Sequence, residues 1–343
     1  CDGNFVAKTN DGASPAFFGS LADAAEAGLE GFDIEKTLDT VVDYRYDKFS
    51  ALHAAFRSAD ACLFVPAGAK IAEPFHLLRS LSPGKSDFGH VLVILQDGAE
   101  ATLVTETASL DYESADAALH CGAVEIVVGK GAKLRFVDFQ NWNRGVWHFS
   151  HQRAVLQENA EIEWTVGALG ARLAKVNQHV VMAGPHGRAA VNGVMFTEDR
   201  QHHAYHTLQH HQAPHCESDL LYKGALQDRS HMVWRGMIRV DQGAIKTDGY
   251  QRNDNLILSE TARADCIPGL EIEADDVRCT HGATAGRVDE SEIFYLQTRG
   301  LTQREAARMI VSGFFQQVFD RVSIESVREE LERVIRRRVR EYR

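Results

Sequence analysis

Residues 131–139 read Gly131-Ala132-Lys133-Leu134-Arg135-Phe136-Val137-Asp138-Phe139, a turn dipeptide followed by alternating charged and apolar side chains. A period of two places Leu134 and Phe136 on one face and Lys133 and Arg135 on the other, which is a half-buried strand rather than a helix. Asn159-Ala160 opens the same figure in Glu161-Ile162-Glu163-Trp164-Thr165-Val166. Gly98-Ala99 leads into Ala101-Thr102-Leu103-Val104, and Gly122-Ala123 into Val124-Glu125-Ile126-Val127. The dipeptide returns at Gly224-Ala225, Gly243-Ala244 and Gly282-Ala283. Short strands bounded by turn residues, with hardly a helical pattern between residues 61 and 285, place this region among the all-β sandwiches, barrels and solenoids. The turns recur irregularly, at roughly twenty to thirty residues in several places and about nine in one, which establishes no strict repeat. A loose solenoid fits better than a closed barrel.

Helical patterns flank this β region. In residues 1–60, the Ala-rich stretch 20–29 has Ser20 as a cap with Asp23 at the third helical position. A second helix is expected over 47–58, with Phe49, Leu52, Ala55 and Phe56 on its apolar face. In residues 286–343, Thr302-Gln303-Arg304-Glu305 forms a capping box in which hydroxyl and carboxylate each satisfy a free backbone N–H. Ala306, Met309, Ile310, Gly313, Phe314 and Val318 then make an amphipathic stripe. Ser323 is the expected cap of a last helix with Val327, Leu331, Val334 and Ile335 as its apolar face.

The chain has 343 residues, 44% of them apolar and 25% charged, which excludes disorder as its main state. Its apolar runs, such as Val91-Leu92-Val93-Ile94-Leu95, fall far short of the ~18 residues of a membrane helix. No secretory signal opens the chain. The sequence does not begin with Met, so a fragment or processed form is expected. Net charge is -11, which argues against general nucleic-acid binding. Residues 299–343 carry eleven Arg against seven acidic residues, so the charge balance inverts in the last segment. The run Arg336-Arg337-Arg338-Val339-Arg340 reads as the solvated face of a terminal helix. Six cysteines, at 1, 62, 121, 216, 266 and 279, include no C-x-x-C pair. They read as reduced thiols of a cytoplasmic protein.

Two features carry metal chemistry. Six histidines lie between His202 and His215, followed by Cys216, and imidazole with thiolate binds borderline-soft metals. Within this tract His210, His211, His215 and Cys216 are the weaker metal candidates, because an alternating strand does not turn His202, Tyr205 and His211 the same way. The second feature is Cys279-Thr280-His281, where spacing of two in an extended segment sets thiol and imidazole on one face, half of a metal site. No P-loop, G-x-G-x-x-G or G-x-S-x-G motif is present.

Around that second feature the chain resembles a known family. Asp275-Asp276-Val277-Arg278-Cys279-Thr280-His281-Gly282-Ala283-Thr284-Ala285-Gly286-Arg287 runs on into Glu292-Ile293-Phe294-Tyr295-Leu296 and Arg299-Gly300-Leu301. With Trp234-Arg235-Gly236-Met237-Ile238-Arg239-Val240 and Asp254-Asn255-Leu256-Ile257-Leu258, it is similar to the SufB/SufD components of the SUF iron–sulfur cluster assembly machinery. The likeness spans roughly residues 40–343. It is closer to SufD: His281-Gly282 stands where SufB proteins carry His-Glu, and Asn253 where they carry a cysteine.

The resemblance implies a mainly β fold, a right-handed parallel β-helix core with a helical N-terminal remnant and a C-terminal helical segment. It implies a non-catalytic scaffold subunit that pairs with a SufB-like subunit through the β-helix. A SufC-like ABC ATPase would dock on the C-terminal helices, with Met309, Phe314 and Val318 as candidates. Iron or a nascent iron–sulfur cluster would meet His281 and Cys279 at the SufB interface, with no cofactor held tightly by the isolated chain. A homodimer in isolation is a further implication; nucleic acid and membrane are not partners. The competing readings are a SufB-like scaffold and a free-standing β-helix or cupin-like metal-binding enzyme built on the histidine tract.

Overall fold

The computed structural model describes residues 1–2, 14–58, 60–111 and 113–340. The alternating segments form two sheets that share one interior. The first sheet orders Phe17–Ser20, Asp60–Val65, His90–Leu95, Ala118–Val128, Val146–Leu156, Leu173–Met182, His202–His211, His231–Val240 and Arg263–Ile272, with Ser86–Asp87 pairing beside Ala118–Val128. The second orders Phe75–Leu81, Glu100–Ser109, Lys133–Asn141, Glu161–Ala168, Arg188–Thr197, Glu217–Leu226, Asp248–Ile257 and Arg278–Arg287. Consecutive strands alternate between the sheets and pair in parallel with the strand one coil later, which makes a parallel β-solenoid of about eight turns. Phe17–Ser20 is the exception: it lies antiparallel on Asp60–Val65, a strand inside the region expected to be helical. Among the described residues no helix is long and apolar enough to cross a membrane.

The solenoid does repeat, and its repeat sits in the backbone. One residue per coil adopts positive φ at the same corner: Gly68, Gly98, Gly131, Asn159, His186, His215, Lys246 and Asp276, spaced 27 to 33 residues apart. Each of the first seven gives its N–H to a carbonyl of the following coil, from Gly68 to Asp97 through Lys246 to Asp276. Only three of these eight are glycines, so the Gly-Ala signal fades after residue 132. Conversely Gly122, Gly224 and Gly282 are not at turns; each lies inside a strand, which is why the apparent spacing was irregular. Gly122 and Gly224 are there for room, since a Cβ would strike His120 at the first and Met232 at the second.

Side chains after the corner fill the interior as small residues, with Ala99, Ala132 and Ala160 fully buried. Between them stack Phe136, Trp164, Tyr205, Tyr222 and Trp234, also fully buried, while Lys133 and Arg135 face solvent as alternation requires.

The helices cover the sheets from outside. Near the N-terminus, α1 (Leu21–Glu26) is capped by the Ser20 hydroxyl, which accepts from Asp23 N at 3.0 Å. After α2 (Ile34–Thr37), α3 (Lys48–Phe56) starts in a capping box between Asp47 and Ser50. The buried face of α3 is Ser50 and His53, and Phe56 is exposed, so the expected apolar face is rotated. The reason is the surface beneath: the sheet offers His53 the His90 ring and Phe49 O the Cys121 thiol, while Phe49 of that face stacks on an aromatic ring, Phe149.

At the other flank lie α4 (Glu290–Thr298), α5 (Gln303–Phe319) and α6 (Glu325–Arg338). The Thr302–Glu305 capping box opens α5 as expected. Its buried row is Ala307, Val311, Phe315, Val318 and Phe319, packed on Val137, Phe139, Val194, Phe196 and Leu221 of the second sheet. Ser323 does not cap α6; its N–H donates to Glu163 and the helix begins one residue later with no side-chain cap. The basic run is not wholly solvated either. Arg336 pairs with Glu332 in the helix, but Arg338 reaches Leu169 O and Asn141, and Arg340 reaches Glu198, Asp199 and Asp228. These contacts staple the chain end to the solenoid.

Phe315→Ala should therefore lower stability in urea unfolding by about 3–5 kcal/mol, whereas exposed Met309→Ala should stay within about 0.5 kcal/mol. Equal effects would contradict the seam between α5 and the sheet.

Candidate functional site

The last coil consists of Arg263–Ile272 and Arg278–Arg287, joined by the turn in which Asp276 takes φ +55. Among the described residues no strand pairs with the outer edge of either. Side chains that would be interior in a middle coil are here at an open rim.

Cys279 and His281 share one face of their strand. Register sets them beside Gly249 and Gln251, whose buried positions mark the interior side. The Cys279 thiol leans on Ile238, Val240 and Ala244, and a Cβ at Gly249 would come within 3.2 Å of its sulfur, so glycine there makes room for the thiol. Burial pushes the Cys279 pKa above its ordinary value of 9.0, chiefly by desolvating the thiolate, so the group is a thiol at neutral pH. His281 is exposed.

A third ligand-type side chain joins this rim, one that sequence reasoning passed over. Cys266 pairs in register with Trp234 and so faces the interior, where Asn255 Nδ2 donates to its sulfur at 3.0 Å. Its Sγ lies 3.9 Å from Thr284 O, which brings the two strands of the last coil together across the open end. Burial also raises the Cys266 pKa. The signal that could have found it was Pro268 two residues on: proline inside a strand marks an edge, and this strand is the edge of its sheet. Two thiols and an imidazole suit iron or zinc once the thiols lose their protons. They do not close into one cluster: the only set of three metal-ligating side chains drawn close together among the described residues is Asp39, His90 and Glu125, elsewhere in the molecule. The rim is an incomplete ligand set.

The histidine tract gathers no set of metal-ligating side chains among the described residues. In His202–His211, His203, Tyr205, Thr207, Gln209 and His211 point inward and the intervening residues outward. His210 pairs with Asp241 at 2.9 Å on the outside, while His211 bonds the Ser218 hydroxyl at 2.8 Å inside. His215 is the left-handed corner residue and stacks on His186, the corner of the coil before. Cys216 is fully buried and directs its sulfur to Gly184 O at 3.3 Å. Strand alternation and the corner conformation separate the four, which removes the sequence argument for an enzyme built on them.

Of the docking candidates, Val318 is fully buried in the seam and offers a partner no surface. Phe314 is half-buried, with the Lys223 ammonium 4.7 Å from its ring centre and bonded to its carbonyl. Met309 is 54% exposed, as are Phe294 at 68% and Tyr295 at 56% on α4. The last two were missed because α4 is short and its apolar residues have no amphipathic period.

Comparison with known proteins gives one consistent match. The family described as SUF system FeS cluster assembly, SufBD core domain, matches residues 78–314. An iron-sulfur cluster assembly SufBD family protein of Mycobacterium leprae is 32% identical over 81% of this chain and 72% of its own length. A protein of the same description from Mycobacterium tuberculosis is 30% identical over 85% of this chain and 72% of its own. Another, from Staphylococcus saprophyticus, is 30% identical over 81% of this chain and 59% of its own.

The raised thiol predicts the pH profile of its chemistry. Iodoacetamide alkylation of Cys279, followed by peptide mass spectrometry, should have its midpoint above pH 9.0, the ordinary thiol value. A midpoint at or below that value would contradict the burial. Because binding must displace the proton, iron uptake at the rim should rise with pH.

Proposed function

We propose that this chain, which belongs to the SufBD family of SUF iron–sulfur cluster assembly proteins, is a SufD-like scaffold subunit that presents ligands to a nascent cluster without catalysis of its own. The observation that carries this reading is the open rim of the last coil, where Cys266, Cys279 and His281 lie beside two unpaired strand edges. An incomplete donor set is of little use to an isolated protein. It suits a subunit whose partner adds the remaining ligands and continues the sheets, and Ile267, Leu270 and Ile272, exposed on that last strand, give such a partner apolar area to cover. The partner that fits is a SufB-like subunit. In this role iron or the cluster is cargo, passed on rather than kept.

The SufD-like assignment is supported by position 253. Asn253 is fully buried in the interior, donating to Tyr222 O and accepting from Asn255. A side chain so engaged supplies hydrogen bonds where a SufB-type cysteine would supply sulfur. His281-Gly282 likewise offers no carboxylate next to the imidazole. Cytoplasmic residence is supported by the cysteines, of which Cys62, Cys121, Cys216, Cys266 and Cys279 are free thiols.

For the ATPase, the surface best suited is the exposed apolar group Phe294, Tyr295 and Met309 on α4 and α5. Removing the C-terminal segment would be a poor test, since it would strip the seam from the second sheet. Phe294→Asp with Met309→Asp changes surface only. That pair should weaken capture of a SufC-like ATPase by roughly tenfold or more, about 1.4 kcal/mol, at unchanged thermal midpoint. Undiminished capture would place the ATPase elsewhere.

His281→Ala tests the scaffold role. Loss of a ligand should weaken cluster holding by about tenfold or more, read as iron and acid-labile sulfide per assembled complex at matched subunit ratios. Folding stability should change by less than about 0.5 kcal/mol because the ring is exposed. Equal cluster content in wild type and variant, with the complex intact, would overturn the assignment.

A further inference from the structure

Far from the rim, under α3, the molecule buries polar groups that the cluster chemistry does not use. His90 and Glu125 are fully buried, and His53 is 3% exposed. Asp60 stands opposite His90 in the strand register, and the His53 ring centre is 5.3 Å from that of His90. Three heteroatoms here are buried without a hydrogen-bond partner: His53 Nε2, His90 Nδ1 and Asp60 Oδ1. Native proteins rarely leave such groups unsatisfied, and three gathered together call for an explanation.

The spacing supplies one. His90 Nε2 lies 3.2 Å from Glu125 Oε2. Two ligands held at ~2.0–2.1 Å on a tetrahedral ion stand about 3.3–3.4 Å apart, close to that separation. Asp39 completes a trio whose ligand atoms all lie within 4.8 Å of one another. Glu125 is preorganised: Oε1 accepts from Val41 N at 2.8 Å and Val42 N at 2.6 Å, and Oε2 accepts from Asp39 N at 2.8 Å while facing His90.

Charge agrees. Arg57 lies 2.9 Å from Asp39 and 3.3 Å from Asp60, and Arg79 also acts on Asp60, so the three carboxylates Asp39, Asp60 and Glu125 outnumber the guanidinium groups beside them. The nearest thiol there, Cys121, directs its S–H to Phe49 O at 3.4 Å.

We propose that His90 and Glu125, completed by His53 and by Asp39 or Asp60, bind one divalent transition-metal ion of the zinc class between α3 and the first coils. The ion clamps residues 39–57 onto the solenoid. It is structural, all-N/O ligated and independent of the cluster cargo at the opposite end.

The test uses the full chain carrying Cys266→Ser, Cys279→Ser and His281→Ala, so that rim ligands cannot answer. After chelator treatment, Co²⁺ is titrated and followed by its visible ligand-field bands. One equivalent should bind saturably without sulfur-to-cobalt charge transfer, Zn²⁺ should displace it, and the thermal midpoint should rise with free metal. His53→Gln and His90→Gln should each weaken binding by about tenfold or more. No saturable binding in the parent chain, or binding untouched by both substitutions, overturns the proposal. If His90→Gln fails to fold by circular dichroism, His53→Gln decides alone, since its side chain comes from the covering helix.

Discussion

One backbone constraint governs this molecule: each coil must turn one corner through a residue in the left-handed region. For any side chain but glycine that conformation is unfavourable by roughly 1–2 kcal/mol, and it persists because the corner N–H bonds to the next coil. With the corners in register, every strand is placed opposite its counterpart one coil away. Buried small residues can then sit directly behind the corner and aromatic rings can stack between the sheets. A shift of one residue would turn Leu134 and Phe136 outward and Lys133 and Arg135 inward, so corner and alternation enforce each other.

Two layers built on that frame differ in chemistry. The C-terminal helices meet the second sheet through apolar contacts, with Phe315 and Phe319 against Phe139 and Phe196. The N-terminal segment meets the first sheet through carboxylates, imidazoles and backbone amides, Glu125 alone holding three N–H groups of the segment. An apolar seam tolerates volume-conserving change, whereas a buried polar one fails as a unit when a member is lost.

The legibility of the sequence follows from the same physics. Corners made by Gly98 and Gly131 announce themselves; those made by His186, His215 and Lys246 do not, since tertiary hydrogen bonds rather than residue type hold them. That is why His215 and Cys216 read as metal ligands and turned out to be a corner and its filler. Cys279 and His281 were readable together because period two is a local property. Cys266 was not, because its place on the same rim, against Thr284 of the other strand, depends on how the two sheets close. The α3 face misled for a related reason: Phe49, Leu52, Ala55 and Phe56 imply an apolar floor, and what the floor contains is set by residues far along the chain, such as His90, Cys121 and Phe149.

In a stack of coils, each interior coil is held by two neighbours and a terminal one by one, and stability is close to a sum over such neighbours. The coil that carries Cys266, Cys279 and His281 lies beyond the strands that α5 covers, and its outer hydrogen-bonding groups have no strand beside them. Local opening free energy is therefore lowest where the ligand-type side chains are. Amide exchange should run as a gradient along the solenoid, slow under the helices and fast at this end. The rim is a fraying edge by construction, and a companion sheet that pairs with it would confer order on the donors in the act of binding.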